Sequence, residues 1–152
     1  MKVVLLAAGR SKRMKPIEDK NFLYFLGKPL IQHQLEMLKK SGFKDLVVVG
    51  GKHNMDKIQA LGKSLGMKMQ VVEQEDLDLG MCGAVLAAKK FIKGMDILVV
   101  STNDIVDSLA YDLMKKAIAK KDVDGYLIGK KVKNYFPGGY LEVDKSARIK
   151  NI

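Results

Sequence analysis

The chain has 152 residues, enough for one domain with a sizeable core, and its 47% hydrophobic and 29% charged residues are the balance of an ordinary globular fold. A single cysteine, Cys82, leaves no internal disulfide framework, and no apolar run approaches the roughly 20 residues that span a bilayer, so the expected compartment is the reducing cytoplasm, with no membrane partner. The net charge of +10 suits anionic partners, but the lysines are scattered with few aromatics among them, which favours solvated helix faces over a nucleic-acid surface.

In chain order, residues 2–8 (KVVLLAA) read as a buried first strand ending at Gly9, and Arg10, Lys12, Arg13 and Lys15 follow with no acid among them. Pro29 suits a first helical turn, Ile31, Leu35 and Leu38 form one apolar stripe, and Gly42 is placed to end that helix. Strands are predicted at 45–50 (DLVVVG), 68–73 (MKMQVV) and 96–102 (DILVVST), each short and rich in Val, Ile, Leu or Met. Helices are predicted between and after them: 53–65 with Ile58 and Leu61 inward, 81–92 with Ala84, Val85, Ala88, Phe91 and Ile92, and 105–120 with Val106, Leu109, Leu113 and Ala117.

The tail departs from this rhythm. Residues 125–132 (GYLIGKKV) read as another strand, and 138–152 as two strands joined by an Asp-Lys-Ser turn. The pattern predicts an α/β fold, a doubly wound and mainly parallel sheet with helices on both faces, ending in a β-hairpin, as one domain over 1–152. A chain stopping at Ile152, inside a strand, leaves an edge that further chain or a partner subunit is expected to cover.

Ligands of doubly wound sheets sit beyond the carboxyl ends of the strands, which is where the loop after Gly9 lies. Gly9 lets backbone approach a bound group, backbone N–H groups there can meet anionic oxygens, and Arg13 and Lys20 add full charges. A charge-assisted hydrogen bond is worth about 1.5–3 kcal/mol, so two or three would hold a triphosphate. Neither G-x-x-x-x-G-K-[ST] nor G-x-G-x-x-G is present, so the alternative is a surface turn with ordinary basic residues.

Several stretches together resemble the sugar-phosphate nucleotidyltransferases. Leu6, Ala7, Ala8, Gly9, Arg13, Met14 and Pro16 fall on that family's L-A-[AG]-G-x-[GS]-x-R-[ML]-x-P signature, with Lys20 and Gly27-Lys28-Pro29-Leu30-Ile31 on the segments that follow it. Residues 73–88 (EQEDLDLGMCGAVLAA) resemble the segment that reads the base, with Gln74, Gly80 and Ala84 in place, and 97–104 (ILVVSTND) resembles the strand ending in the metal-binding Asp.

The resemblance implies transfer of a nucleoside monophosphate from an NTP to a sugar-1-phosphate, giving an NDP-sugar and pyrophosphate. It places the nucleotide against Leu6, Ala7, Ala8, Gly9, Gln74, Gly80 and Met81, and the sugar against Asn103 and Gly139. Arg13, Lys20 and Asp104 would be catalytic, with Asp104 holding Mg²⁺ or Mn²⁺. A homo-oligomer is compatible with it. The departures are Ser11 where Gly is common, Asp19 where Pro usually precedes the Lys, Met81 in place of Thr, and Asn103 in place of Gly. No second metal-binding carboxylate follows, so the chain is expected to be part of a longer enzyme or truncated, and inactive alone if that carboxylate is needed. Ser11 also supports cytidylyl transfer to an alcohol phosphate or cofactor precursor, and the missing carboxylate leaves room for a non-catalytic nucleotide- or nucleic-acid-binding module.

Each choice has a plainer alternative. Asp is a favoured N-cap, so Asp104 could cap the following helix, and Asp107 reads as a dipole-favoured acid in its first turn. His33 and His53 lack metal-ligand spacing and read as solvated, Cys82 as a small residue packed beside the loop, and the methionines as core fillers.

Overall fold

Short strands whose two faces are both apolar are stable only when helices cover them on each side, and the computed structural model, which describes residues 1–135 and 137–152, builds that arrangement. In chain order the elements are β1 (Lys2–Leu6), the two-residue strands β2 (Tyr24–Phe25) and β3 (Lys28–Pro29), α1 (Leu30–Lys40), β4 (Leu46–Gly50), α2 (Met55–Ser64) and β5 (Met69–Glu73). There follow α3 (Gly80–Ala87), α4 (Lys89–Ile92), β6 (Ile97–Ser101), α5 (Ser108–Ile118), β7 (Glu142–Val143) and β8 (Ile149–Asn151). The four longer strands form one parallel sheet in the order β5-β4-β1-β6. The chain therefore steps outward from β1 to β4 and β5, then returns to the other side of β1. That reversal opens a crevice between the carboxyl ends of β1 and β6.

Strand alternation divides the core. Val4, Val47 and Val49 share one face with Ala84 and Ala88 of the α3–α4 stretch. Val3, Leu5, Leu46 and Val48, all buried, point to the other face. There α2 lies close enough that a Cβ on Gly50 would meet Ile58 Cδ1 at 2.9 Å, and α1 adds the fully buried Ile31, Leu35 and Leu38. Helix α1 ends as its sequence requires: Gly42 takes φ +80°, Phe43 N–H reaches Leu38 O, and Gly42 N–H reaches Lys39 O.

Residue contacts divide the chain into two compact units, Met1–Leu113 and Met114–Ile152. The first holds the sheet and every buried residue described; the second holds the antiparallel pair β7–β8. Three local expectations are corrected. Residues 125–132 form no strand: all but Tyr126 are exposed, and no described strand pairs with them to satisfy their backbone. The 81–92 helix breaks at Ala88, whose N–H turns to Val85 O. Helix α5 starts at Ser108, with Tyr111 as its buried residue while Leu109 and Leu113 are 63% and 55% exposed. Tyr111 wins the inner position because its ring meets Phe43 edge-on and its hydroxyl donates to Gln34 Oε1 at 2.9 Å.

Candidate active site at the strand switch

The crevice is built by polar side chains that tie strand ends together. The Leu6 carbonyl, at the end of β1, accepts Thr102 N–H at 3.3 Å and the Thr102 hydroxyl at 3.0 Å, joining β1 to β6. The Ala7 carbonyl accepts two amides, Asn21 Nδ2 and Asn54 Nδ2, each at 2.9 Å. The single proton of the Thr102 hydroxyl is shared between the Leu6 carbonyl and Asn21 Oδ1. All three side chains are buried, so each bond replaces water that the fold has excluded.

These ties fix the strand ends from which the first loop and the Asp104 segment leave. Ala7 and Ala8 are buried at the rim, and Gly9 is exposed with open space where a Cβ would stand. Arg13 is exposed on a 3₁₀ turn over Lys12–Met14. Ser11, just before it, adopts the left-handed region at φ 52°, which explains why Gly is at home in that position. The Ser11 hydroxyl accepts the backbone N–H of Lys20 at 2.9 Å, so the loop after Gly9 and the lysine are held as one piece.

Asp104 follows β6 with its carboxylate exposed; Asn103 Nδ2 donates to Asp104 Oδ1 at 3.1 Å. The Asp104 backbone is anchored from below. Gln34 of α1, 1% exposed, donates from Nε2 to Asp104 O and, at 3.1 Å, to Ser101 O. Asp104 does not cap α5. That task falls to Asp107, whose Oδ1 accepts Leu109 N–H at 2.8 Å.

The cations of the first loop divide in two. Arg10 and Lys12 reach Asp78 Oδ1 at 3.5 and 3.7 Å, drawing the loop toward the 3₁₀ turn Leu77–Leu79. Arg13 and Lys20 have no carboxylate within ion-pair distance among the described residues, so their charge is available to a bound anion.

On the far side of that turn, Gln74 is buried and its Nε2 donates to Asp76 O and Gly80 O, both at 2.9 Å. Gln74 therefore shapes the loop that carries Gly80 and Met81. Gly83 makes this possible, since a Cβ there would stand 2.8 Å from Gln74 Nε2 and 2.5 Å from Leu79 Cβ. Met81 is 73% exposed, and Cys82 is exposed rather than packed. Met14 and Met95 are likewise on the surface, so core filling does not account for the methionines as a class. An open groove of about 590 Å³ begins at Gln74 and runs along β5 to Phe91. Gly139 lies exposed before β7 in the second unit.

Sequence reasoning singled out Asp19 only as a departure and missed its neighbours. Asp19 Oδ1 accepts Asn21 N–H at 2.9 Å and Asn21 Nδ2 at 2.7 Å, and Oδ2 accepts Asn54 Nδ2 at 2.7 Å. His53 Nε2 stands 3.8 Å from the same Oδ2. His33 is not merely solvated, because its Nε2 lies 2.7 Å from Phe25 O. Burial pushes the Tyr111 hydroxyl up to about 12. Among the described residues no cluster of three or more His, Cys, Asp or Glu is placed to hold a metal. An exposed Asp104 still fits Mg²⁺, which commonly takes one or two carboxylates and completes its shell with phosphate oxygens and water.

Residues 3–128 match the MobA-like NTP transferase domain. The chain is 30% identical over 155 residues to a bifunctional sugar-1-phosphate nucleotidylyltransferase/acetyltransferase of Sulfurisphaera tokodaii, covering 100% of this chain and 36% of that protein. It is 26% identical over 152 residues to a glucose-1-phosphate thymidylyltransferase of Neisseria gonorrhoeae, covering 96% of this chain and 52% of that one. The chain thus spans about a third to a half of the length of these relatives. Among solved structures, the inositol-1-phosphate CTP transferase from T. maritima shares the fold, with a TM-score of 0.61 at 22% identity over 66% of this chain and 42% of that one. No helix of the described residues is long and apolar enough to cross a membrane. The chain belongs to the family of MobA-like NTP transferase domains.

Proposed function

We propose that the chain carries the nucleotide-binding half-site of a sugar-1-phosphate nucleotidyltransferase, which joins a nucleoside monophosphate from an NTP to a sugar-1-phosphate and releases pyrophosphate. We read residues 1–152 as one such domain, acting in the cytoplasm; the family match over 3–128 covers the first compact unit and the start of the second, which supports the domain part of that reading. The observation that carries the proposal is the strand switch itself. Thr102 and Asn21 bind the carbonyls of Leu6 and Ala7, at and just beyond the end of β1, beside the loop after Gly9, Lys20 and the segment bearing Asp104.

In this reading the backbone of Leu6–Gly9 receives the nucleotide. The base lies toward Gly80 and Met81, in a loop shaped by Gln74. Arg13 neutralises the β- and γ-phosphates that depart, and Lys20 offsets charge on the α-phosphate as the sugar phosphate oxygen attacks. Asn103 lines the sugar side. Asp104 would hold Mg²⁺, which would supply positive charge against the phosphates. Positioning and charge neutralisation do the rest, with no protein nucleophile.

The test is thermal unfolding of the chain with each of the four NTPs, with and without Mg²⁺. One nucleotide at 100 times its Kd is expected to stabilise the chain by about 2.7 kcal/mol. Asp104→Ala is expected to abolish the Mg²⁺ dependence of that shift. A CTP preference would move the assignment to cytidylyl transfer, which the serine at position 11 also suits. Salt-steep, base-indifferent binding to oligonucleotides in place of any NTP shift would sink the enzymatic reading.

A further inference from the structure

We propose that Asp19 is a positioning residue for nucleotidyl transfer, a buried carboxylate that fixes Lys20 against the strand switch by clasping the amides of Asn21 and Asn54. The inference rests on the reading of Lys20 given above.

Its basis is the direction of every amide in the cluster. Asn54 Oδ1 is committed to Gly51 N–H at 3.0 Å, and Asn21 Oδ1 is committed to Thr102. Both side chains must therefore turn their NH₂ groups inward, and each divides them between the Ala7 carbonyl and Asp19. Only an acceptor-only group satisfies both at once. A carboxylate has no donor to misplace, whereas an asparagine at position 19 would set its own NH₂ against at least one of theirs. The Asp19 side chain is 6% exposed, so water cannot repair such a mismatch.

The clasp surrounds Lys20 on three sides. Asp19 before it is tied to Asn54, beyond the end of β4. Asn21 after it is tied to β1 and to Thr102 at the end of β6. The Lys20 N–H itself is tied to Ser11 in the first loop. Backbone freedom at Lys20 is thus removed by its neighbours, while its ammonium stays unpaired by any described carboxylate. A cation whose backbone is anchored and whose head is unpaired is suited to stabilising a charge that develops nearby.

The experiment is steady-state kinetics of nucleotidyl transfer by the wild-type chain, Asp19→Asn, Lys20→Ala and the double variant. Asp19→Asn is expected to lower kcat by about ten- to a hundredfold, as small misplacements of positioned groups do, with KM for the NTP changed by less than about twofold. The double variant is expected to lose no more than Lys20→Ala alone. Multiplicative losses, or an unchanged kcat in Asp19→Asn, overturn the proposal. If Asp19→Asn does not fold, Asn54→Ser breaks the same link from the other side and is expected to give the same kcat-selective loss.

A wild-type chain that binds an NTP but transfers no nucleotide fits a half-site that lacks the second carboxylate; one that neither binds nor transfers defeats the nucleotidyltransferase reading. Amide hydrogen exchange then tests the clasp directly. Exchange at Lys20 and Asn21 is expected to quicken at least about tenfold in Asp19→Asn while β4 amides keep their protection. Equal exchange in the two proteins overturns the clasp as well.

Discussion

Met1–Leu113 and Met114–Ile152 are drawn from the same residue types, yet they are held together in different ways. In the first unit the buried strand residues pack against helices, and the buried Asn21, Asn54 and Thr102 are hydrogen-bonded to the Leu6 and Ala7 carbonyls at and just beyond the end of β1. In the second, Leu127, Ile128, Val143 and Ile149 are 41–60% exposed, and no described residue is buried. The β7–β8 pair is closed instead by Asp144, whose Oδ1 accepts Ser146 and Arg148 N–H groups at 2.8 and 3.0 Å. Apolar residues contribute stability only where partners remove them from water. One unit is thus organised by burial and the other by local turn chemistry.

That contrast can be broken by experiment. Leu35→Ala, at a fully buried position, should cost about 2–5 kcal/mol in urea unfolding; a cost below 1 kcal/mol would deny that α1 is part of a packed core. Tyr111→Phe should cost about 1 kcal/mol near neutral pH, because Gln34 Oε1 loses its donor. It should also change the alkaline limb of the stability curve. Burial raises the phenol to about 12, so the unfolded chain releases this proton first, from its ordinary value near 10. Stability due to the protonated phenol is complete below pH 10 and is lost as pH rises from 10 to 12. The wild type should therefore lose up to about 3 kcal/mol more than Tyr111→Phe across that window, and parallel curves would count against a buried Tyr111. Ile149→Ser, on the exposed hairpin, should lie within about 0.5 kcal/mol of wild type. A loss like that of Leu35→Ala would show the two units to be built alike.

How much of this was legible in the sequence follows from the same contrast. The four parallel strands were readable because a continuous apolar run has few other stable fates, and the end of α1 because Gly42 supplies the required left-handed residue. The strand expected at 125–132 failed because Leu127, Ile128 and Val132 give β propensity but no information about a pairing partner. At the candidate site, Gly9, Arg13 and Lys20 were singled out by the glycine and the basic charge behind the first strand, and Asp104 by the family resemblance. Asn21, Gln34, Asn54 and Thr102 were not, because a polar residue next to a loop looks solvated until the fold brings a carbonyl from a distant strand to it. Thr102 and Leu6 are 96 positions apart. Only Asp19 left a trace, as a residue out of step with the signature. Gly83 had no signal beyond being a glycine in a helix, and its need shows only against Gln74.

The link from Arg10 and Lys12 to Asp78 carries a practical consequence. These charges are 43%, 67% and 74% exposed, and their contacts are 3.5 and 3.7 Å long. Dissolved ions screen such pairs over a Debye length of about 10 Å at 0.1 M and about 3 Å at 1 M. The buried amide clasp a few residues away is shielded from those ions by the protein itself. A change of buffer therefore acts as a selective solvent for one kind of order: concentrated salt loosens the mouth of the crevice and leaves its floor intact.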